Sequence, residues 1–217
     1  MAETGRRTTM ENIPGRGEPK MIQIGHGQSA DIFLDLTKRP SVCYKIPYQW
    51  PDDKAIQVKS AHTYLRDCGF PVLPHFEVAW GGEFYEMTDL TNGLTNLVVS
   101  APDVSRVEKR EGRDWFSEWH NVKPRNEKEF LHELDHILQL CVDYRVGIND
   151  VGLFLVATPE GKLKTIIADY EDGILHHRVH VPYITKDVED QKQKIMNYFN
   201  GVVKLFFPSL HTPKFSI

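Results

Sequence analysis

The feature that most constrains this chain is a glycine-containing segment between two runs of β-forming residues. The segment Ile24–Ser29 (IGHGQS) ends an apolar stretch, and an alternating run from Ala30 leads away from it. A second run, Val42–Ile46 (VCYKI), returns with one lysine inside it. Alternation with a period of two predicts strands, and the glycines predict a tight turn between them. Such a hairpin can lay its backbone over a polyphosphate and direct an ammonium group at it from the next strand.

Alone, this pattern also fits an ordinary turn beside an edge-strand lysine, because glycine accepts a positive φ at little cost. The residues that follow are therefore needed to decide between a phosphate-binding hairpin and an ordinary turn. Residues 51–67 show a helical pattern with an apolar stripe, and a glycine and a proline end it. Residues 76–80 and 83–87 alternate on either side of Gly81 and Gly82, which predicts a second pair of strands.

The second half of the chain is mainly helical by the same criteria. Residues 126–144 predict the longest helix, with a capping-box pattern at Asn126 and Glu129. A hairpin over 153–168 follows, and then a last helix over 186–207. The apolar stripes of these two helices consist of Phe130, Leu134, Ile137, Leu138, Cys141, Ile195, Phe199, Val202, Val203 and Phe206. A β-rich half followed by a helical half predicts an α+β protein with two lobes.

The bulk composition narrows the class of protein. A chain of 217 residues with 41% apolar and 26% charged residues is ordinary for one soluble globular domain. A net charge of −4 argues against nucleic-acid and membrane partners, and no run has the apolar length of a membrane span. The cysteines Cys43, Cys68 and Cys141 lie in apolar settings and predict reduced, buried thiols. Residues 1–20 are polar and predict a disordered leader, either a frayed terminus or a type III secretion signal.

Two carboxylates flank the hairpin of the second half. Asp150 precedes it, and Asp169 follows directly on its apolar second strand. A kinase needs one carboxylate to accept the proton of the substrate hydroxyl and another to hold magnesium. Because a hairpin returns the chain to its start, both side chains can face one cleft. A turn at Asn149 and Asp150 is an alternative for the first carboxylate, whereas a carboxylate at a buried strand end favours a bound cation at Asp169.

These motifs resemble those of the short protein-kinase-like effectors that Gram-negative pathogens inject into eukaryotic cells. The Gly25–Ile46 segment is similar to the glycine loop and strand-3 lysine of the OspG/NleH group. The compact plan resembles the HopBF group, whose members phosphorylate the eukaryotic 90-kDa heat-shock chaperone. The resemblance covers residues 21–207 in the order of their elements. It implies a minimal bilobal protein-kinase-like fold with a truncated C-lobe, in a single domain 21–217 with an N-lobe at about 21–90 and a C-lobe at about 91–217.

By this resemblance the chain is a serine/threonine kinase that enters the host cytoplasm by type III secretion and transfers the γ-phosphate of ATP, with Mg²⁺, to a host protein. The implied substrate is the 90-kDa heat-shock chaperone, which transfer would inactivate, and an OspG-like role in the ubiquitin pathway is the alternative. We expect a monomer. Lys45 would contact the α- and β-phosphates, Asp150 would be the catalytic base and Asp169 the magnesium ligand. The nucleotide would also lie against the loop and the hinge, formed by Gly25, His26, Gly27, Gln28, Ser29, Glu86 and Thr88.

Several positions depart from the kinase motifs. The third loop glycine, the catalytic-loop histidine and arginine, and the second metal ligand are replaced by Ala30, Ile148, Asn149 and Leu155, respectively. The helix over 51–67 has no glutamate for Lys45, and the residues that could substitute are Gln57, Asp52 and Asp53. An inactive pseudokinase that serves as a binding module is therefore the main alternative. A small-molecule phosphotransferase would need a larger helical lobe.

Residues 132–136 (HELDH) match the H-E-x-x-H pattern of a helical zinc site. At about 100° per residue, His132 and His136 fall opposite the stripe that contains Phe130 and Leu134. The sequence therefore predicts that this pair faces solvent and that the motif is no buried catalytic zinc site. The histidines within 176–180 are assigned to a polar loop.

Overall fold

The computed structural model describes residues 21–27, 29–49, 54–79, 83–101, 119, 121–149, 152–170, 174–177 and 185–217. The predicted leader, Gln28 and Asp150 lie outside this range. Two compact units are present: the first contains the described residues up to His62 together with Leu73–Gly93, and the second contains Thr63–Val72 and Leu94–Ile217. The predicted single domain, with lobes at about 21–90 and 91–217, stays a prediction.

The first unit is built on a five-stranded antiparallel sheet. Its strands are β1 (Met21–His26), β2 (Ala30–Asp35), β3 (Val42–Pro47), β4 (Phe76–Ala79) and β5 (Phe84–Thr88). They lie in the order β1-β2-β3-β5-β4, and helix α1 (Lys54–Asp67) follows β3 along the chain. Both predicted strand pairs are therefore confirmed, and α1 ends where the helical pattern predicted.

Alternation along β3 divides the side chains of this sheet between two faces. We call one the tyrosine face, because its buried core consists of Val42, Tyr44, Ile46 and Phe84, with Met21 and Phe33 packed against it. Burial of such side chains stabilises the sheet by about 1.5–3 kcal/mol each. Lys45 lies on the opposite side, which we call the lysine face. The lysine face also carries buried apolar side chains, among them Leu34 and Tyr85.

The second unit combines helices with two small antiparallel sheets. Its elements are β6 (Leu97–Ser100), α2 (Glu127–Tyr144), β7 (Val146–Ile148), β8 (Leu153–Ala157), β9 (Leu163–Ile167), β10 (Ile174–His177), α3 (Thr185–Tyr198), a π-helical segment (Phe199–Val203) and a helical turn (Lys204–Phe206). The sheets have the orders β6-β8-β9 and β7-β10. The hairpin predicted over 153–168 is confirmed as β8–β9, and β6 adds a third strand that was not predicted.

The predicted helix stripes form the core of this unit. All ten of their side chains are buried, and α2 ends at Arg145, which has a left-handed φ of 55°. The widening of the last helix into a π-helical segment at Phe199–Val203 was not predicted. Inside the unit, the amide of Gln191 pairs with both backbone groups of Ile148, at 3.0 Å each, and so joins α3 to β7.

Two local predictions for the second unit are wrong. Asn126 makes no side-chain cap at α2; its amide instead bonds both backbone groups of Leu163, at 2.8 Å each, and joins the helix start to β9. Ile174–His177 is a strand paired with β7, whereas a loop was predicted. The predicted α+β class is confirmed, and the order of elements is that of a kinase-like fold. Within the described ranges, no helix has both the length and the apolarity to cross a membrane.

Candidate functional site

Strand register places the two central candidates, the loop glycine and the lysine, on one face. Gly25 is opposite Ile32, Ile32 is opposite Lys45, and Lys45 is opposite Tyr85. Directly opposed residues of antiparallel strands point to the same side of the sheet. Gly25 and Lys45 therefore both belong to the lysine face, with only the Ile32 side chain between them.

Close pairing of β1 and β2 explains the glycine at the start of the loop. A Cβ atom added to Gly25 would lie 3.1 Å from both Cβ and Cγ1 of Ile32. A larger residue would therefore push β1 away from β2 or displace Ile32. Glycine also covers none of the backbone at this position with a side chain of its own, which suits a phosphate-covering loop.

The loop itself is closed by backbone hydrogen bonds. The Gly27 amide donates to the Ala30 carbonyl at 2.8 Å, and the Tyr48 amide donates to the Ser29 carbonyl at 2.8 Å. Ala30, which stands at the third glycine position, is buried and begins β2. Its methyl group therefore fills the base of the hairpin, and the Gly27 amide is already used within the loop.

Helix α1 presents an imidazole, rather than a carboxylate, to the lysine face. His62 is buried; one of its ring nitrogens lies 2.9 Å from the Leu73 carbonyl, and its ring lies 5.1 Å from that of Phe76. The Phe76 ring in turn lies 4.9 Å from that of Tyr85, the residue opposite Lys45. Gln57, one predicted substitute for the glutamate, is exposed on α1. Asp52 and Asp53 lie outside the described residues.

The predicted hinge residues lie inside a central strand. The Glu86 carboxylate pairs with Lys38, and it lies 3.4 Å from His75. Burial acts to raise the pKa of Glu86, but the hydrogen bonds from Lys38 and Tyr44 and the nearby charges of Lys38 and His75 together outweigh it, so the pKa lies below its ordinary value. The Thr88 amide donates to the His75 carbonyl at 2.9 Å, so it is already used between β4 and β5. The adenine-binding role of both residues stays a prediction.

Asp89, which the sequence analysis did not single out, organises the turn after β5. Its carboxylate accepts hydrogen bonds from the Ser41 hydroxyl at 2.6 Å and from the amides of Thr91 and Gly93 at 2.8 and 2.7 Å. Although burial acts to raise it, these bonds hold the pKa of Asp89 below its ordinary value. The pattern D-x-T, which commonly forms such a turn, was the available sequence signal.

The β8–β9 hairpin closes at its base, as predicted. Leu153 is opposite Ile167, and the Ala168 amide donates to the Gly152 carbonyl at 3.3 Å. Asp169 is half-buried directly after this closure, and Asp150 precedes Gly152 by two positions but lies outside the described residues. A carboxylate is the kind of oxygen donor that Mg²⁺ prefers, and the magnesium-binding role of Asp169 and the catalytic role of Asp150 both stay predictions.

The two histidines of the H-E-x-x-H motif lie on the solvent side of α2. His132 and His136 are exposed on α2, which confirms the predicted solvent face. Glu133 turns inward, and its carboxylate accepts a hydrogen bond from the Thr165 amide of β9. Throughout the described part of the chain, no three His, Cys, Asp or Glu side chains group to hold a metal ion.

Comparisons with known proteins complete the description of the site. No protein-family model and no curated protein matches the chain. Among solved structures, the kinase domain of Mycobacterium tuberculosis PknI is similar with a TM-score of 0.38 and 11% identity, over 88% of this chain and 77% of that one. Choline kinase LicA from Streptococcus pneumoniae has a TM-score of 0.35 and 11% identity, over 83% of this chain and 74% of that one. Both TM-scores lie below 0.5, so support for a function has to come from the sequence and the geometry of this chain.

Proposed function

We propose that this chain is a phosphotransferase of the kinase type, which uses the lysine face of its first sheet to bind a nucleoside triphosphate. The observation that supports this most strongly is the row Gly25, Ile32, Lys45 and Tyr85 across four strands. It places Gly25, which has no side chain, and the Lys45 side chain on the same side of one sheet. Those are the two contacts that a polyphosphate needs for charge compensation and position.

In the proposed reaction, the acceptor hydroxyl oxygen forms a bond to the γ-phosphorus as the bond from that phosphorus to its bridging oxygen breaks. Lys45 compensates the charge of the phosphates, and Asp150 orients the hydroxyl and accepts its proton. Asp169 would hold magnesium, which would supply charge compensation for the phosphates. The protein thus contributes position and electrostatic stabilisation rather than a covalent intermediate.

We also propose the finer assignment that the acceptor is a serine or threonine of a eukaryotic host protein. The resemblance of the loop and lysine motifs to secreted effector kinases supports it, and within that resemblance the 90-kDa heat-shock chaperone is the first candidate substrate. The ubiquitin pathway is the second. Delivery by type III secretion and action as a monomer in the host cytoplasm belong to the same proposal.

A pseudokinase is the second candidate function, and one observation favours it. Leu155, at the position expected for the second metal ligand, is fully buried in β8 opposite Thr165 of β9. An apolar side chain in this setting cannot coordinate a cation. If no other oxygen replaces that ligand, the chain would bind nucleotide without transferring phosphate.

The deciding experiment follows γ-labelled phosphate from Mg-ATP into a eukaryotic lysate, with Lys45→Ala and Asp169→Ala beside the wild type. We expect labelling of a discrete protein band by the wild type and a loss of at least about 100-fold in each variant, since both side chains compensate charge on the triphosphate. A band near the mass of the chaperone would name the substrate.

Matched controls change the same residue types at exposed ion pairs. Lys59→Ala breaks the contact with Glu77, and Asp67→Ala breaks the contact with Arg66. Both should label as the wild type does. Transfer by Lys45→Ala at the wild-type rate would refute the assignment of the site. Nucleotide binding with no label in any lysate would establish the pseudokinase instead.

A further inference from the structure

A polar cluster joins three chain segments around the glycine loop. The Oδ1 atom of Asp31 accepts hydrogen bonds from Gln23 Nε2 at 2.9 Å and from the Tyr48 hydroxyl at 2.8 Å, and it lies 2.7 Å from His26 Nδ1. The Tyr48 hydroxyl also lies 2.8 Å from His26 Nδ1. We call these four residues the outer clamp. They come from the end of β1, the start of β2 and the residue after β3.

The chemistry of the groups restricts the donors of the outer clamp. The Tyr48 hydroxyl donates to Asp31 at 2.8 Å, and the Gly27 carbonyl lies 3.5 Å from it. The Asp31 carboxylate can only accept, so the hydrogen bond at 2.7 Å requires the tautomer of His26 with its proton on Nδ1. Asp31 then serves as the common acceptor of three donors. The carboxylate charge strengthens each of these hydrogen bonds.

The outer clamp lies on the side of the sheet opposite the proposed nucleotide. His26 follows Gly25 in β1 and Asp31 precedes Ile32 in β2, and neighbouring residues of a strand point to opposite faces. Gly25 and Ile32 belong to the lysine face, so His26 and Asp31 belong to the tyrosine face. The side chain of His26, a predicted nucleotide contact, is therefore directed away from that face, and its backbone is the part that can cover a phosphate.

We propose that Tyr48 is a positioning residue, and that the outer clamp holds the glycine loop in the conformation that binds the nucleotide. This inference rests on the proposed function. Tyr48 comes three residues after Lys45, and both its backbone and its side chain hold the loop: its amide bonds the Ser29 carbonyl, and its hydroxyl bonds Asp31. Glycine-containing loops lose much conformational freedom when a ligand orders them. A loop that is already held pays less of that entropy on binding.

The first arm of the test measures loop order without nucleotide. In Tyr48→Phe, which removes only the hydroxyl, the amides of Gly27 and Tyr48 should exchange with deuterium at least about 5-fold faster, because the loop opens more often. Asp31→Ala removes the common acceptor and should give a larger change in the same direction. Tyr144→Phe is the matched control, because Tyr144 is an exposed tyrosine of the second unit, and it should exchange as the wild type does.

The second arm measures nucleotide affinity and turnover. Tyr48→Phe should raise the Kd for a non-hydrolysable ATP analogue, and the KM for ATP, by about 3- to 10-fold, with kcat changed less than about 2-fold. If the role of Tyr48 were merely structural, Tyr48→Phe would lower the melting temperature but would not raise KM while leaving kcat nearly unchanged. Unchanged exchange in the loop, or faster exchange with unchanged affinity, would overturn the inference. If the wild type binds no nucleotide, the proposed function fails, and the first arm alone decides whether the clamp orders the loop.

Discussion

Glu133 distinguishes a structural from a catalytic role for the H-E-x-x-H motif. Its side chain is half-buried, and its carboxylate accepts a hydrogen bond from the Thr165 amide of β9. Burial raises the pKa of Glu133, against the smaller opposing effects of that hydrogen bond and of Lys164. The raised pKa means that the folded state favours the protonated form more than the unfolded chain does.

The sign of the pH dependence follows from this shift. Stability from a group with a raised pKa is fully present below its unfolded value, here 4.5, and is lost as the pH rises through the folded pKa. Glu133→Gln keeps an oxygen acceptor for Thr165 without a charge. We therefore expect this variant at pH 7 to be at least as stable as the wild type, and to depend less on pH between pH 5 and 7 in urea unfolding.

Glu133→Ala is the matched comparison, because it leaves the Thr165 amide without its acceptor. It should lower the free energy of unfolding by about 1–3 kcal/mol. Equal losses in the alanine and glutamine variants would contradict this account. Loss of phosphate transfer in Glu133→Gln with unchanged stability would instead return a chemical role to the residue.

At the scale of elements, the turn between β8 and β9 depends on a glycine. Gly161 has a φ of +84°, and a Cβ atom there would lie 2.0 Å from the Lys123 carbonyl oxygen. The Gly161 carbonyl accepts a hydrogen bond from the Arg125 amide at 2.9 Å, so the turn also holds the segment before α2. Backbone conformation and steric overlap therefore both oppose a side chain.

This turn gives a prediction with an internal control. Gly161→Ala should destabilise the protein by at least about 3 kcal/mol, from a left-handed φ together with overlap on the backbone. Gly69 has nearly the same φ, +86°, but no atom lies within 4 Å of a Cβ atom added there. Gly69→Ala should therefore lower the free energy of unfolding by only about 1–2 kcal/mol. Denaturant unfolding gives the loss of stability in each variant, and the difference between the two losses is the cost of the steric overlap at Gly161. Equal losses would show that the turn yields to the new methyl group.

The elements that could be predicted from the sequence are those with local signals. Alternation and glycine turns predict β1 to β5 and the β8–β9 hairpin, and the helical period predicts α2. The side chain of Asn126 could not be placed, because a cap and a long-range bond to Leu163 use the same amide group. His26 and Asp31 face each other across one hairpin, so their contact follows from register. Tyr48, the residue after β3, completes the outer clamp, and no local pattern indicates it.

For the whole molecule, the three cysteines report on stability in both units. Cys43 belongs to the first unit and Cys68 and Cys141 to the second, and all three are buried and free. Burial raises the thiol pKa of Cys43, with a further contribution from Asp89, and burial also raises that of Cys141. Protonated, inaccessible thiols react slowly with disulfide reagents.

We therefore expect the native protein at pH 8 to react with a thiol reagent at least about 100-fold more slowly than the protein in urea, where all three cysteines should be modified. Peptide mass spectrometry separates the time courses of Cys43 and Cys141. Similar rates would show that the units open together, and different rates would show which opens first. Fast modification of Cys141 in the native protein would contradict the burial of the α2 stripe.

The exposed pair His132 and His136 has a use in the laboratory. The two imidazoles are one helical turn apart on a face of α2 that points to solvent, and imidazole is a good ligand for Cu²⁺ and Ni²⁺. A paramagnetic copper ion anchored there through two bonds would have a far better defined position than a probe on a flexible linker. With a second spin label in the first unit, pulsed electron resonance could then follow the distance between the sheet and α2 as nucleotide is added.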